Sequence, residues 1–303
     1  MTGSILVLGA GELGVAMLEA VVHHPSRNQV KLAVFLRQAT LDSAAPAKRK
    51  MVQHLRALGV HFETGDVVDA TVSDLASLFA EYETVVCCTG MGLPPGTQKK
   101  LTEAVLEAKV ARYFPWQYGM DYDEIGQGSS QDLFDEQLEV RKLLRDQTAT
   151  NWVIVSTGLF MSFLFLPAFG VVDLEKRVVR ALGGWDNSIT LTTPRDIGRV
   201  TADVVLDPRG ISHQVVYTAG DTVSYEEVAE ILDGHFDAQF TRELWDQHTL
   251  RQQMKEDPST MVKYRDTFAQ GRGVAWSMDK TINHQRGIAM TDLRAYLKEV
   301  HAG

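Results

Sequence analysis

The sequence is poor in several things that would define other kinds of protein. It has only two cysteines among 303 residues, Cys87 and Cys88, and they are adjacent. Neighbouring side chains on a strand point to opposite faces, so a disulfide between these two is not expected. That cysteine usage fits a reducing, cytoplasmic setting. Basic residues are outnumbered: 30 Lys and Arg against 39 Asp and Glu leave a net charge of -9. Non-specific nucleic-acid binding needs clustered cations to displace counterions, so no nucleic-acid partner is expected. The densest basic run is Lys48-Arg49-Lys50, whose plainer reading is a solvated helix start. Long hydrophobic runs are missing too. The longest apolar stretch, Leu159–Val172, is interrupted by Ser162, Pro167 and Gly170. It is too short and too broken to span a bilayer, and no secretory leader is expected. Nine histidines occur, but no His-Glu-x-x-His and no Cys/His cluster at ligand spacing, so no metal site is expected. Neither a Gly-x-Ser-x-Gly elbow nor a phosphate loop with its lysine is found.

What remains is a regular alternation. Ile5–Leu8, Lys31–Leu36, Val60–Glu63, Thr84–Cys88, Ala111–Phe114 and Trp152–Ser156 read as short buried strands. Leu13–Val22, Ala47–Ala57, Val72–Phe79, Leu101–Ala108 and Gln131–Arg145 read as helices between them. Such alternation implies βαβ units and an α/β, Rossmann-type, doubly wound parallel sheet. Residues 1–157 are expected to form the dinucleotide-binding domain. Residues 158–303 are expected to form mainly a smaller C-terminal α/β substrate lobe, with some segments returning to the first domain. Pro194–Leu206 and Tyr225–Leu232 read as helices, and residues 235–275 as helical segments.

The strongest local signal is Gly9-Ala10-Gly11-Glu12-Leu13-Gly14. It follows a strand and opens a helix, the context the GxGxxG pattern requires. The first glycine makes the turn, the second admits a pyrophosphate, and the third lets helix and strand pack. The phosphates would lie on a helix N-terminus, whose N–H groups and dipole favour an anion. A site for NAD usually ends its second strand with an acid for the ribose 2′-hydroxyl. Here that place holds Arg37, and a guanidinium suits a 2′-phosphate. NADP(H) is therefore the expected cofactor. Asp66 after the third strand, and Thr89, Gly90 and Met91 after the fourth, lie beyond strand carboxyl ends and are candidate cofactor contacts. The competing explanations are turn chemistry for Gly65-Asp66 and a strand terminator for Gly90.

The chain resembles the NmrA-like and isoflavone-reductase-like branch of the atypical short-chain dehydrogenases. The resemblance rests on Gly9–Gly14, Arg37, Gly65-Asp66 and Tyr113-Phe114-Pro115-Trp116-Gln117-Tyr118-Gly119. It continues in Phe134…Gln137…Val140-Arg141, Thr193–Arg199 and Ser224-Tyr225-Glu226-Glu227. It implies NADP(H), a substrate lobe and reduction of phenolic or other natural-product-like molecules. It adds Pro115 and Trp116 to the cofactor contacts. It also implies a lysine where this chain has Gln137, in a pattern F-x-x-K-x-x-[VI]-R. An amide orients a carbonyl or a water but does not exchange a proton near neutral pH. Proton-donor candidates are Tyr118, Asp121, Tyr122, Asp135 and Glu136, each with a plainer role in packing, capping or solvation. Gln137, Tyr118 and Asp121 are the catalytic candidates. Tyr118, Phe134, Gly158, Phe160, Met161 and Phe163 are the candidate substrate wall, with core packing as the alternative.

Two functions follow. One is an NADPH-dependent oxidoreductase reducing a carbonyl, imine or conjugated double bond of a hydrophobic small molecule in secondary-metabolite biosynthesis, with or without cyclisation or rearrangement. The other is a dinucleotide-sensing regulator that binds NADP(H) and a protein partner without turnover. No membrane partner is expected, and self-association is left open.

Overall fold

Apolar runs alternating with amphipathic segments leave the chain one economical solution, strands side by side with helices packed on their faces. The computed structural model describes residues 3–27 and 30–301. The order begins β1 (Ser4–Leu8), α1 (Glu12–His23), β2 (Lys31–Leu36), a short α2 (Gln38–Leu41), α3 (Pro46–Ala57) and β3 (His61–Thr64). It continues with α4 (Val72–Phe79), β4 (Thr84–Cys87), α5 (Thr97–Glu107), β5 (Arg112–Phe114), α6 (Tyr122–Ile125), α7 (Asp132–Arg145) and β6 (Asn151–Ser156). Then come β7 (Leu159–Phe160), a 3-10 turn over Met161–Phe165, β8 (Val172–Asp173), β9 (Val178–Leu182), β10 (Ser188–Thr192), α8 (Pro194–Leu206) and β11 (Gln214–Tyr217). The chain ends with β12 (Asp221–Ser224), α9 (Tyr225–Phe236), β13 (Thr241–Trp245), α10 (Gln247–Glu256), α11 (Thr260–Ala269), α12 (Ile282–Arg286) and α13 (Leu293–Val300).

The chain divides into two compact units, each assembled from several segments. The first comprises residues 1–117, 136–155 and 197–216. It carries a seven-stranded sheet in the order β11-β6-β5-β4-β1-β2-β3. The pairings β1–β2, β1–β4, β2–β3, β4–β5 and β5–β6 are parallel. The strand order reverses beside β1, which is where ligands bind in open α/β sheets. One core cluster joins Leu6, Leu8, Phe35, Phe79, Val85, Cys87, Leu101 and Tyr113. Val140 and Leu144 of α7 belong to it as well. Cys87 therefore faces α4 and α5, whereas the side chain of Cys88 lies 3.5 Å from where a Cβ on Gly14 of α1 would stand. The adjacent cysteines are free and on opposite faces, as strand geometry requires.

The second unit comprises residues 118–135, 156–196 and 217–303. It contains two small sheets, β12-β10-β7 and β13-β9-β8. β7 pairs parallel with β10, and β9 pairs parallel with β13. No strand is expected beyond Ser156, with Leu159–Val172 irregular and 235–275 helical, so β7 to β13 are all additions made by the structure. Among the described residues no helix is long and apolar enough to cross a membrane, and no group of metal-ligating side chains assembles.

Candidate dinucleotide and substrate sites

The loop after β1 is set by backbone necessity. Gly9 adopts φ +90°, and its N–H donates to the Phe35 carbonyl of β2 at 3.1 Å. A Cβ on Gly9 would meet Thr89 Cβ at 2.8 Å. A Cβ on Gly14 would stand 2.2 Å from the Gly9 carbonyl oxygen, so helix and turn touch through bare backbone. Gly11 differs. It is the N-cap of α1 in an extended conformation, φ −72°, and a Cβ there would meet nothing within 4 Å. It supplies no side chain to the first-turn N–H groups of α1. With open space at Gly11 and no side-chain cap from it, that turn suits a diphosphate. Ala10 is half-buried, and Glu12 opens α1 on the exposed side. Leu13 is only 4% exposed, so its side chain belongs to the core.

Arg37 follows β2 directly, two residues beyond the carbonyl that binds Gly9. Its side chain is 67% exposed and stands 3.9 Å from Asp66 Oδ2, at 28%. An exposed pair at that distance contributes little to stability and leaves the guanidinium available for a phosphate. The other Asp66 oxygen accepts from the Val68 N–H at 2.8 Å, which pins the carboxylate in its turn. The ring of Phe35 lies against Gly65, where a Cβ would meet it at 2.6 Å. Beyond β4, Thr89 holds its carbonyl toward Gln98 Nε2 at 3.0 Å. A Cβ on Gly90 would fall 2.0 Å from Trp116, so the indole is packed flat on bare backbone. Pro115 is buried beside it. Met91 is 56% exposed and projects away from this packing. The loops after β1, β2, β3, β4 and β5 thus meet at the carboxyl edge of one sheet. The geometry fits a dinucleotide with a 2′-phosphate at Arg37.

The Cys87 thiol donates to the Thr89 carbonyl at 3.3 Å, and burial pushes its pKa up to about 12. Cys88 is raised as well, by burial first and by Cys87 second. Neither forms the thiolate that reacts with electrophiles. Iodoacetamide at about pH 8 should therefore leave the native protein unlabelled and label both cysteines after denaturation. Rapid labelling of the native protein, read by mass spectrometry, would contradict this burial.

The inward face of α7 carries Gln137, Val140, Arg141 and Leu144, each no more than 1% exposed. This is the i, i+3, i+4, i+7 pattern of a buried helix face. Two of the four are polar, which core packing alone does not ask for. Gln117 Nε2 donates to the Gln137 backbone carbonyl at 2.8 Å. Gln117 Oε1 accepts from Arg141 Nε at 2.7 Å. The Gln137 amide itself is fully buried, and neither its oxygen nor its nitrogen has a hydrogen-bond partner among the described residues. Leaving such a group unsatisfied costs about 1–3 kcal/mol. Gln117 and Arg141 were legible only as parts of a motif; their bond spans residues distant in the chain.

Other proton-donor candidates are committed elsewhere. Glu136 Oε1 accepts from the Gln98 and Lys99 N–H groups at 2.8 and 3.3 Å, capping α5. Asp135 Oδ1 accepts from the Gly128 N–H at 2.9 Å. Within the second unit, Asp121 is 5% exposed. Its Oδ2 accepts from the Tyr217 hydroxyl at 2.6 Å and lies 3.6 Å from Lys280 Nζ. Tyr118 is buried, at 7%. The Gly119 carbonyl accepts from the N–H groups of Thr157 and Gly158 at 2.8 and 3.0 Å, which brings the Tyr118–Asp121 segment to Gly158. Gly158 has φ +69°, and a Cβ there would stand 2.2 Å from the Thr190 carbonyl oxygen. Phe134 and Phe163 meet through a third ring: each has its centroid 5.7 Å from that of Tyr264. Tyr122 lies 4.8 Å from Phe134. Met161, two residues before Phe163, is fully buried, and Phe160 is half-buried. Tyr264, distant in sequence, had no local signal.

A dinucleotide turn on a doubly wound sheet, with an aromatic second unit, defines a class of nucleotide-dependent α/β proteins. Within that class, the profile of the NmrA-like family matches residues 1–297, and the chain belongs to this family. An NmrA-like family domain-containing oxidoreductase of Gibberella moniliformis is 57% identical over 302 residues, 99% of either chain. A phenylcoumaran benzylic ether reductase of Pyrus communis is 26% identical over 234 residues, 75% of this chain and 72% of that one. The solved complex of leucoanthocyanidin reductase with NADPH from Vitis vinifera superposes with a TM-score of 0.81 at 18% identity, covering 99% of this chain and 100% of that one.

Proposed function

We propose that this protein is an NADPH-dependent reductase of a hydrophobic, aromatic small molecule. The observation that carries the proposal is the Gly9–Gly14 turn with Arg37 in the place of an acid. Its open N-terminus at Gly11 suits the diphosphate, and its guanidinium suits the 2′-phosphate. The names of related proteins add support, since they include a phenylcoumaran benzylic ether reductase and a leucoanthocyanidin reductase in complex with NADPH. We also place it in the cytoplasm, where its two free cysteines would stay reduced, and in secondary metabolism.

When bound, NADPH supplies the hydride to the acceptor carbon, and one proton completes the reduction. The residues of this chain divide the remaining work. Gln137 orients and polarises the acceptor by hydrogen bonding. It does not deliver the proton. Asp121 accepts from a hydroxyl and stands beside an ammonium, so it acts as an acceptor and not a donor. The proton comes from the Tyr118 hydroxyl or from water. Acceptors that need little acid help, imines and conjugated carbonyls, fit this arrangement better than simple ketones.

The test follows reduced-nicotinamide absorbance with NADPH and a panel of aromatic ketones, cyclic imines and enones. Consumption with imines or enones is expected. In the same assay Gln137→Lys and Gln137→Ala are each expected to change turnover, and an unchanged rate in both would remove Gln137 from the reaction. Tight NADPH binding without consumption of any acceptor would favour a second reading, a dinucleotide sensor. The amide at position 137 is the specific feature that favours it.

A further inference from the structure

A primary amide has two faces: its oxygen accepts and its nitrogen donates. The Gln137 amide is fully buried, with both atoms unpartnered among the described residues. The side chain that bonds residue 137 does not serve its head group. Gln117 bonds the Gln137 backbone carbonyl at 2.8 Å and spends its own oxygen on Arg141 at 2.7 Å. The helix is thus clamped at this point while the amide keeps its donors and its acceptor uncommitted. No hydrogen bond from the described residues fixes which way round the amide sits, so either orientation is open to it.

We infer that Gln137 is a recognition residue for a planar donor–acceptor edge on the substrate, a lactam or another cis-amide. This rests on the reductase reading above. Oxygen and nitrogen side by side on an amide match an N–H and a C=O side by side on a ligand, through two parallel hydrogen bonds. Glutamine reads the adenine edge in the same bidentate way. An ammonium at this position would present donors only, and would treat a lactam and a lactone alike. A buried group that bonds a ligand N–H strongly rejects the analogue lacking it, because the group is then left unpaired. Pairing on binding would also satisfy the amide that folding leaves unpaired.

The carboxamide of a bound nicotinamide offers the same edge, so the experiment has to separate the two sources. Isothermal titration of the NADP⁺-saturated protein compares 2-quinolone with coumarin, the same two-ring shape with ring oxygen in place of N–H. The wild-type protein is expected to bind 2-quinolone at least roughly tenfold more tightly. Gln137→Met keeps the length and removes both polar atoms. It should fold as well as the wild type, lose the preference, and bind NADPH within about twofold of it. Equal affinities in the wild type, no binding of either probe, or a preference that survives in Gln137→Met would each overturn the inference. A tenfold loss of NADPH affinity in that variant would assign the amide to the cofactor and overturn it as well. The wild-type comparison needs no variant to fold. Selective 2-quinolone binding without NADPH consumption by any acceptor would support the inference and sink the reductase reading, so the two fail separately.

Discussion

Gly11→Ala is expected to abolish NADPH binding while leaving the fold intact. Gly11 has φ −72°, which alanine adopts without strain, and a Cβ there would meet no protein atom within 4 Å. The restricted unfolded chain and the poorer N-cap act in opposite directions, so the folded chain changes by no more than about 0.5 kcal/mol. The added methyl would stand in front of the first-turn N–H groups of α1, where a diphosphate must approach. A loss of roughly 100-fold or more in NADPH affinity is expected, measured by nicotinamide fluorescence, with an unchanged melting temperature. Gly14→Ala provides the contrast. There the new Cβ would be 2.2 Å from the Gly9 carbonyl oxygen, a backbone atom of the loop itself. The turn would have to move, at a cost of about 1–3 kcal/mol. The melting temperature should then fall by roughly 2–10 °C together with the affinity. Equal melting losses in both variants would mean that Gly11 serves the fold and not a ligand.

Arg37→Ala should separate the two nicotinamide cofactors. Its side chain is 67% exposed, and its pairing with Asp66 spans 3.9 Å, so its removal changes stability by less than about 0.5 kcal/mol. A hydrogen bond to a charged group contributes about 1.5–3 kcal/mol, so NADPH affinity should fall by roughly 10- to 100-fold. NADH has no 2′-phosphate, and its affinity should change by no more than about twofold. Arg37→Glu adds repulsion to the 2′-phosphate and should widen the gap further. A parallel loss for NADH and NADPH would move Arg37 away from the 2′-phosphate.

The first unit was largely legible from the sequence. Lys31–Leu36 and Val72–Phe79 were read with the bounds they have in the structure. Their signals are local: a continuous apolar run for a strand buried on both faces, and helical spacing of Val72, Leu75 and Phe79. The second unit was not legible to the same degree. β7 is two residues long and pairs with β10, far along the chain. Two residues carry no periodicity. Thr241–Trp245 reads Thr-Arg-Glu-Leu-Trp, and its arginine, glutamate and leucine are good helix formers. Pairing with β9 overrides that preference. The division into units built from separate segments arises from contacts between residues distant in sequence, which no local pattern records.

The site shows the same split. The glycine turn and Arg37 are local features and were read directly. Gln137 was found through a family pattern, because one glutamine on a helix carries no message of its own. Its buried, unpaired amide and the Gln117–Arg141 bond appear only once α7 is folded against the strand-β5 loop. The pairing of Phe134 and Phe163 through Tyr264 joins three stretches of chain and was invisible in any one of them.

Hydride transfer is the central claim, and isotopic transfer tests it most directly. The protein would be incubated with NADPH carrying deuterium at C4 of the nicotinamide, together with each acceptor of the imine and enone panel, and the products read by mass spectrometry. Deuterium is expected at a single carbon of one product, and only from NADPH labelled on one of the two C4 faces. Bound NADPH that keeps its deuterium with every acceptor would contradict it and leave a protein that senses the cofactor without using it.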